Sequence, residues 1–152
     1  MTSEKLTTIR RVLVVCLGNI CRSPTAEAIL RVKLPLWEVD SAGTSDWHIG
    51  DAPYAPMQAA ARARGYDLST LRARQVTKED FLEFDLILAM DRSNMSSLED
   101  LRAPSGGAEL ALFLGEGDVP DPYYTRDFDG CIDLIEDRAE AMSSAFGRLG
   151  RE

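Results

Sequence analysis

A cysteine and an arginine at the two ends of one short segment are the side chains of this sequence best suited to covalent chemistry. The segment Cys16-Leu-Gly-Asn-Ile-Cys-Arg22 follows the apolar run Val12–Val15 and precedes Ser23-Pro24. Ser is a favoured N-cap and Pro suits the first helical position, so Ser23 is predicted to begin a helix. A loop that enters a helix in this way binds anions through its amides, and a cysteine held there is expected to ionise readily. A thiolate beside a bound oxyanion predicts phosphoryl transfer through a covalent cysteine intermediate.

The spacing between Cys16 and Arg22 suits the shape of a phosphoryl group. Five intervening residues allow the backbone to curl so that its amides surround the equatorial oxygens. The guanidinium of Arg22 can then bind two of those oxygens in parallel, which a lysine could not do. Gly18 and Asn19 both tolerate the left-handed backbone that such a loop requires. Ser23 follows directly and can hydrogen-bond the thiolate.

The leaving group of such a reaction needs a proton, and Asp121 is the candidate donor. Asp121 begins the segment Asp121-Pro-Tyr-Tyr124, and the following proline keeps its backbone out of the helical region. A carboxyl group held in this way could protonate the departing oxygen and then activate the water that hydrolyses the phosphocysteine. The residue types alone leave three alternatives nearby, which are Asp118, Asp127 and Asp129.

Segments typical of strands and helices alternate along the chain. The predicted strands are the apolar segment that includes Leu13–Val15, followed by Trp37–Ser41, Leu86–Met90 and Leu110–Leu114. The predicted helices are Thr25–Leu34, Pro56–Arg64, a short helix after the variant capping box Thr77–Asp80, Arg92–Leu101 capped by Asp91, and a last helix after the polar loop Gly115–Asp127. That last helix is predicted to bury its apolar positions, which are Cys131, Leu134, Ile135, Met142, Phe146 and Leu149.

This alternation predicts one α/β domain that spans residues 1–152. Strands separated by helices favour a four-stranded parallel sheet with helices on both faces, a flavodoxin-like winding. In such sheets ligands bind beyond the carboxyl ends of the strands. We therefore expect the residues that follow the strands to meet at one rim: Cys16, Asp46–His48, Asp91 and Asp121–Tyr124.

Composition narrows the class of protein. A net charge of −8 and the absence of a basic stripe argue against nucleic acid as a partner. No apolar run is long enough for a membrane helix, and the polar start of the chain has no signal core, so we expect a cytoplasmic protein that does not bind membranes. Three cysteines and one histidine form neither a disulfide framework nor a zinc cluster, and we expect no metal and no cofactor.

The motifs taken together resemble the low-molecular-weight protein tyrosine phosphatase family. The resemblance begins with Cys16 to Pro24 and Asp121 to Tyr124 and covers nearly the whole chain in order. Its other motifs are Asp40-Ser-Ala-Gly-Thr, Trp47-His-Ile-Gly, Ala73-Arg-Gln-Val-Thr-Lys-Glu-Asp-Phe81 and Met90-Asp-Arg-Ser-Asn94. Such a combination is specific, and it implies an enzyme that hydrolyses phosphotyrosine and aryl phosphate monoesters.

The resemblance assigns a role to each residue that matches a family motif. Cys16 is then the nucleophile, Arg22 binds the oxyanion and Asp121 is the acid and base. The phosphate-binding residues that it implies are Leu17, Gly18, Asn19, Ile20, Cys21, Arg22 and Ser23. Ser23 would stabilise the thiolate, and Asn19 would hold the loop shape with help from Ser41. A slot for the aromatic ring would be formed by Trp47, Tyr123 and Tyr124.

The resemblance also implies regulation and partners. Cys21 can pair with Cys16 under oxidation and protect it from irreversible products. Cys131 is expected in the core, and His48 at the rim or in a structural role. Protein substrates that contain phosphotyrosine are the expected partners, with a tyrosine kinase as a further candidate that could phosphorylate Tyr123 or Tyr124. The protein is expected to be a monomer or a weak dimer.

Three other functions are compatible with parts of the sequence. Arsenate reduction uses a similar loop but needs further cysteines to relay a disulfide, and Cys131 is a poor relay if buried. Phosphoarginine hydrolysis occurs in a bacterial branch of the family, in which a threonine stands where this chain has Ile20. A phosphopeptide-binding module without catalysis would be expected to lack Cys16 or Asp121, and both are present.

Overall fold

A four-stranded parallel sheet lies at the centre of the protein. A computed structural model describes residues 9–102 and 106–150, the last five of these by their backbone alone. The strands are β1 (Arg11–Cys16), β2 (Glu38–Gly43), β3 (Leu86–Ala89) and β4 (Glu109–Leu112), in the order β2-β1-β3-β4. All of the pairs are parallel. The single α/β domain and its flavodoxin-like winding are therefore confirmed.

The sequence of β1 explains why it lies at the centre of the sheet. Val12, Leu13, Val14 and Val15 have no solvent exposure, as is typical of a strand covered on both faces. Because side chains alternate along a strand, Val12 and Val14 belong to one apolar cluster, whereas Leu13 and Val15 belong to another. The sheet thus separates two cores.

Six helices cover the two faces. They are α1 (Arg22–Lys33), α2 (Ala55–Arg62), α3 (Asp80–Glu83), α4 (Arg92–Leu101), α5 (Pro122–Thr125) and α6 (Phe128–Gly150) in the described part of the chain. Buried residues of α1, α2 and α6 form the larger core with Val12 and Val14. Phe81 of α3 and Leu98 of α4 form the smaller core on the opposite face. Helices therefore lie on both faces, as predicted, and none of those in the described ranges is both long and apolar enough to cross a membrane.

The structure corrects the predicted start of α1. Cys21, not Ser23, occupies the N-cap position, and α1 begins at Arg22. Ser23 lies in the first helical turn, where its hydroxyl group lies close to the Cys16 sulfur instead of capping a helix amide. Thr25 Oγ1 bonds the Cys21 carbonyl oxygen at 2.7 Å. The chain enters the helix earlier than the Ser-Pro signal suggests because the tight turn of the preceding segment ends at Cys21.

The polar segment before the last helix also differs from the prediction, because it contains α5. Asp121 is the N-cap of α5 and accepts a hydrogen bond from Tyr123 N at 3.1 Å, and Pro122 occupies the first helical position. Asp121 and Pro122 thus mark the start of a short helix, which was not predicted from the sequence. In contrast, the predicted cap of α4 is confirmed, since Asp91 Oδ1 accepts from Asn94 N at 2.7 Å.

The buried stripe of α6 differs from the prediction at one position. Cys131, Ile132, Ile135 and Ala139 are buried, but Leu134 is 38% exposed, so the prediction of Leu134 as core is wrong. Leu134 lies one position from Ile135, about 100° around the helix, and this rotation places it outside the stripe. Met142 packs against the core at its edge. The predicted core positions Phe146 and Leu149 lie outside the side chains that the structure describes.

Paired substitutions in α6 test this stripe. Ile132→Ala is expected to lower the free energy of unfolding by about 2–5 kcal/mol, because it leaves a cavity at a fully buried position. Leu134→Ala on the same helix is expected to cost below about 1 kcal/mol, because much of its side chain is already in water. Urea titration followed by circular dichroism measures both values. Equal losses would contradict the assigned orientation of α6.

Candidate active site

A cleft of about 210 Å³ opens at the carboxyl ends of the strands. Its walls come from the loop after β1, the loop after β2 and the segment that leads into α5. The lining residues are Cys16, Leu17, Gly18, Ile20, Cys21, Arg22, Trp47, His48, Asp121, Tyr123 and Tyr124. The structure therefore brings together residues that are about one hundred positions apart in the sequence. Two of the predicted phosphate-binding residues, Asn19 and Ser23, lie behind the loop and not on the cleft wall.

The loop between Cys16 and Arg22 curls around the sulfur. Asn19 adopts the left-handed conformation with φ 57°, which turns the backbone back toward β1. Its N–H points at Cys16 Sγ, with 3.3 Å between nitrogen and sulfur. A loop in which an amide points at the sulfur also stabilises negative charge on it.

A buried chain of hydrogen bonds lies behind the loop. Ser23 Oγ lies 3.0 Å from Cys16 Sγ, and it accepts a hydrogen bond from Asn19 Nδ2 at 2.8 Å. A thiolate only accepts hydrogen bonds, so once Cys16 is ionised the single hydroxyl proton of Ser23 is directed at the sulfur in preference to its longer contact with the Ala42 carbonyl oxygen at 3.4 Å. Asn19 Nδ2 also donates to Ser41 Oγ at 3.0 Å. Ser41 Oγ in turn donates to Glu27 Oε1 at 2.6 Å, so α1, β2 and the loop are joined through polar side chains.

Two parts of this network were not predicted from the sequence. Asn19 Oδ1 accepts from the backbone N–H of Arg74 at 3.0 Å, and the Arg74 guanidinium contacts the carboxylates of Asp40 and Asp80. Glu27 is buried, and burial raises its pKa above the usual range although Ser41 and Arg31 oppose this. Asp80 was predicted only as part of a capping box, and it does accept from Thr77 N at 2.8 Å.

The guanidinium of Arg22 is held by groups from three segments. Its Nη1 donates to Asp91 Oδ2 at 2.7 Å and to the carbonyl oxygen of Val119 at 2.9 Å, and its Nη2 lies 3.5 Å from Asp121 Oδ2. Burial by itself would lower the pKa of Arg22, but the nearby Cys16, Asp91 and Asp121 raise it above its usual value. Arg22 is therefore a fixed cation at the bottom of the cleft. Asp91 was predicted as a helix cap at the rim. Its Oδ1 caps α4, and its Oδ2 accepts the hydrogen bond from Arg22.

Asp121 is the one member of the four candidate acids that lines the cleft. Asp118 accepts from Arg92 N at 3.0 Å, outside the cleft. Asp127 accepts from Gly130 N at 2.9 Å at the start of α6, and Asp129 lies 3.6 Å from Arg64 on the surface. The structure thus distinguishes between residues that the sequence left equivalent.

Aromatic side chains form the mouth of the cleft. Trp47, Tyr123 and Tyr124 are 68%, 42% and 70% exposed, which is unusual for large rings and leaves their faces open to a ligand. The rings of Tyr123 and Tyr54 are 5.1 Å apart. Arg126 has a left-handed backbone, donates to Tyr54 OH at 3.0 Å and lies over the Tyr54 ring. Tyr54 and Arg126 thus position Tyr123, and neither was predicted.

The cysteines are buried free thiols with different positions. Cys21 lines the cleft beside Cys16. Burial, with the nearby charges of Asp121 and Cys16, raises the pKa of the Cys21 thiol above its usual range. Cys131 belongs to the larger core, as predicted, and burial raises its pKa to about 12.

A parallel α/β domain that carries a cysteine–arginine loop at the end of its first strand defines a class of phosphate-monoester hydrolases. Comparison with known proteins gives the family. The family model described as low molecular weight phosphotyrosine protein phosphatase matches residues 11–152. The human low molecular weight phosphotyrosine protein phosphatase is 44% identical over 135 residues, which are 79% of this chain and 84% of the human protein.

Solved structures agree with this match. A low molecular weight phosphotyrosine phosphatase from Vibrio cholerae O395 superimposes with a TM-score of 0.85 at 39% identity, covering 93% of this chain and 99% of that chain. Vibrio vulnificus Wzb in complex with benzylphosphonate superimposes with a TM-score of 0.82 at 34% identity, covering 90% and 98%. The chain belongs to the low molecular weight phosphotyrosine protein phosphatase family. It is a protein tyrosine phosphatase, a hydrolase that depends on a cysteine.

The contact between Gly43 and the phosphate loop can be tested by substitution. A Cβ atom at Gly43 would lie 2.7 Å from Leu17 O and 3.1 Å from Gly18 C, both of them backbone atoms. Gly43→Ala is therefore expected to displace the loop, to cost about 1–3 kcal/mol of stability and to reduce kcat/KM for p-nitrophenyl phosphate by at least about tenfold.

Gly65→Ala is the matched control. Gly65 has φ +90°, and no atom lies near its would-be Cβ, so an alanine there costs about 1–2 kcal/mol through backbone strain alone. Thermal melting and steady-state kinetics should show similar stability losses for the two variants, with full specific activity only for Gly65→Ala. Full activity of Gly43→Ala would show that the loop tolerates the added atom.

Proposed function

We propose that the cleft hydrolyses phosphotyrosine through a phosphocysteine intermediate, with Cys16 as nucleophile, Arg22 as phosphate-binding cation and Asp121 as general acid and base. The observation that carries the proposal is that these three side chains line one cleft. The Cys16 sulfur lies 3.0 Å from the hydroxyl group of Ser23, which can donate to a thiolate. These positions correspond to a nucleophile, an electrostatic clamp and a proton donor for one reaction.

In the first step the Cys16 thiolate attacks phosphorus, so that an S–P bond forms while the P–O bond to tyrosine breaks. The loop amides and the Arg22 guanidinium bind the equatorial oxygens, on which negative charge is spread in the transition state. Asp91 and the Val119 carbonyl hold Arg22 in place, which lowers the cost of orienting it at that moment. Asp121 donates its proton to the departing phenolic oxygen.

In the second step a water molecule attacks the phosphocysteine. Asp121, now ionised, accepts a proton from this water, the S–P bond breaks, and inorganic phosphate is released. Cys16 leaves as a thiolate, and Ser23 and the Asn19 amide stabilise the returning charge on sulfur. The same contacts therefore favour both the attacking and the leaving form of the sulfur.

The mouth of the cleft supports phosphotyrosine as the substrate. Trp47, Tyr123 and Tyr124 offer faces to an aromatic ring, and the apolar side chain of Ile20 forms part of the wall. A shorter phosphoserine would leave these faces uncovered. Wzb of Vibrio vulnificus, whose fold this chain shares, has been crystallised with benzylphosphonate, an aromatic phosphonate.

Arsenate reduction is not supported by the position of the third cysteine. A disulfide relay needs a thiol that can reach the cleft and ionise. Cys131 is buried in the core, it does not line the cleft, and its pKa is raised to about 12.

The proposal extends to oxidation of the site. Peroxide would convert the Cys16 thiolate to a sulfenic acid, and the Cys21 thiol would then attack that sulfur with loss of water to form a disulfide. Because burial raises the pKa of Cys21, Cys16 is the thiol that peroxide oxidises first. A reductant such as dithiothreitol would restore both thiols.

The cellular setting is also part of the proposal. We expect protein substrates that contain phosphotyrosine, a cytoplasmic location, and a monomer or weak dimer. A tyrosine kinase that is a substrate, or that phosphorylates Tyr123 or Tyr124, is a further candidate partner. The family model extends over residues 11–152, which supports one domain across residues 1–152.

Substitution of the nucleophile and of the acid tests the mechanism. Cys16→Ser is expected to abolish turnover of p-nitrophenyl phosphate while inorganic phosphate still binds, because the amides and Arg22 remain.

Asp121→Ala is expected to slow release of phenols by about 10²–10⁴-fold, the usual size of general acid catalysis. Asp118→Ala is the matched control, because it removes a nearby carboxylate outside the cleft and should leave kcat unchanged.

Two results would contradict this mechanism. Turnover by Cys16→Ser that approaches the wild-type rate would show that the sulfur is not the nucleophile. A larger loss of kcat in Asp118→Ala than in Asp121→Ala would show that Asp121 is not the general acid. Leaving groups of different basicity sharpen the test, because the loss in Asp121→Ala should be smallest for the most acidic phenol.

Oxidation of the site gives a separate test. The wild-type enzyme inactivated by peroxide is expected to recover most of its activity with dithiothreitol, because a Cys16–Cys21 disulfide is reducible. Cys21→Ser should recover little activity, because the sulfenic acid on Cys16 has no thiol to form a disulfide with and is oxidised further. Cys131→Ala is the control and should recover like the wild type, because Cys131 lies in the core. Equal recovery of Cys21→Ser and the wild type would disprove the protective disulfide.

A further inference from the structure

We propose that His48 is a substrate-binding residue that accepts a hydrogen bond from a main-chain N–H of the phosphotyrosine peptide. The inference rests on the proposed function of the same cleft. It gives the enzyme a means of recognising the peptide itself, in addition to the phosphate and the aromatic ring. Only peptide substrates can make this hydrogen bond, so it distinguishes them from small aryl phosphates.

His48 is placed on the cleft wall by its contact with the phosphate loop. It is the one histidine of the chain, it follows Trp47 in the loop after β2, and it lines the cleft. A Cβ atom at Gly18 would lie 3.0 Å from His48 Cδ2 and 3.7 Å from His48 Nε2. The glycine thus makes room for the Cδ2–Nε2 edge of the imidazole beside the loop that binds phosphate. The side chain is 33% exposed, so a ligand can reach it.

The opposite edge of the ring is held by Asp51. His48 Nδ1 lies 3.1 Å from Asp51 Oδ2. An ionised carboxylate only accepts hydrogen bonds, which assigns a proton to Nδ1, and in the Nδ1–H tautomer of a neutral ring Nε2 carries a lone pair that can accept. The turn that contains both residues is fixed as well, because Asp51 N donates to His48 O and Ala73 N donates to Asp51 O, each at 2.8 Å. His48 thus lines the cleft with its ring orientation held by Asp51, and its Cδ2–Nε2 edge lies beside Gly18 of the loop.

The chemistry of the substrate determines what this acceptor can bind. The oxygens of a phosphate dianion are themselves acceptors, and the ring and ester oxygen of phosphotyrosine carry no N–H or O–H group. The nearest donors in a peptide substrate are its main-chain amides. The lone pair of Nε2 is thus suited to a peptide N–H, and p-nitrophenyl phosphate has no group that could replace it.

The kinetic test compares two substrates on each variant. We measure kcat/KM for a phosphotyrosine peptide with blocked termini and for p-nitrophenyl phosphate, and we take their ratio. His48→Ala is expected to lower this ratio by about three- to tenfold through KM for the peptide, as expected for one hydrogen bond. His48→Gln, whose amide oxygen can accept, should restore part of the ratio.

Asp51→Asn tests the tautomer without removing the ring. The amide group of an asparagine can donate to Nδ1 through its nitrogen or accept from it through its oxygen, so the nitrogen-15 spectrum of the variant reads which tautomer it holds, and the ratio and the Nε2–H fraction should change together. A donated hydrogen bond moves the proton to Nε2 and removes the acceptor. The ratio should then fall about as far as in His48→Ala. Asp46→Asn is the matched control, because it makes the same charge change in the same loop, away from the Asp51–His48 bond, and it should keep the wild-type ratio.

Nitrogen-15 NMR reads the proton position directly, because the single histidine gives one set of ring signals. The wild type at neutral pH is expected to show the Nδ1–H tautomer, and Asp51→Asn a shift toward Nε2–H. A wild-type Nε2–H tautomer would overturn the proposal. Equal losses on both substrates in His48→Ala would also overturn it, because the ring would then only support the loop. Neither result affects the proposed hydrolysis, which wild-type turnover of p-nitrophenyl phosphate tests independently.

Discussion

The hydrogen bonds of Asn19 are the interaction on which the rest of the site depends. In a left-handed conformation at the middle of the phosphate loop, this residue points its backbone N–H at the sulfur and bonds Ser23, Ser41 and the Arg74 backbone through its side chain. Each polar atom of its amide is used, and the residue is buried. An unpaired polar group at such a depth would be costly, so the loop has one favourable shape. That shape directs the amides and positions the hydroxyl of Ser23.

Charge compensation is the second constraint on the site. The chain has a net charge of −8, yet its cleft must bind a phosphate dianion. The cation proposed to bind it, Arg22, is almost fully buried and would be unstable there without partners. Asp91 and Asp121 supply these partners from loops that follow β3 and β4. The parallel sheet is what allows this, because it brings the carboxyl ends of all strands to one edge. Asp121 thereby contacts Arg22 as well as being the carboxylate proposed for proton transfer.

Local patterns in the sequence were sufficient for much of the fold. The apolar run of β1, the Asp91 cap and the alternation of strands and helices predicted the sheet and its winding, because burial and capping act over a few residues. Predictions were wrong where a local signal competed with a longer-range contact. Ser23 has the residue type of a cap, but its hydroxyl lies against the Cys16 sulfur. Leu134 is apolar but lies outside the face that α6 packs into the larger core.

The sequence by itself determined the candidate reacting groups: the Cys16-to-Arg22 spacing, the residues that flank it and the Asp-Pro pair are local, and they predict phosphoryl chemistry. Only the tertiary structure decided which distant groups complete the site. It selected Asp121 from four nearby carboxylates, assigned Asp91 to Arg22 across 69 positions, and placed Arg74 against Asn19 across 55. Such pairings depend on how the strands are ordered and how their loops pack. No pattern within a few residues encodes them, because their energy comes from contacts that form only when the sheet is assembled.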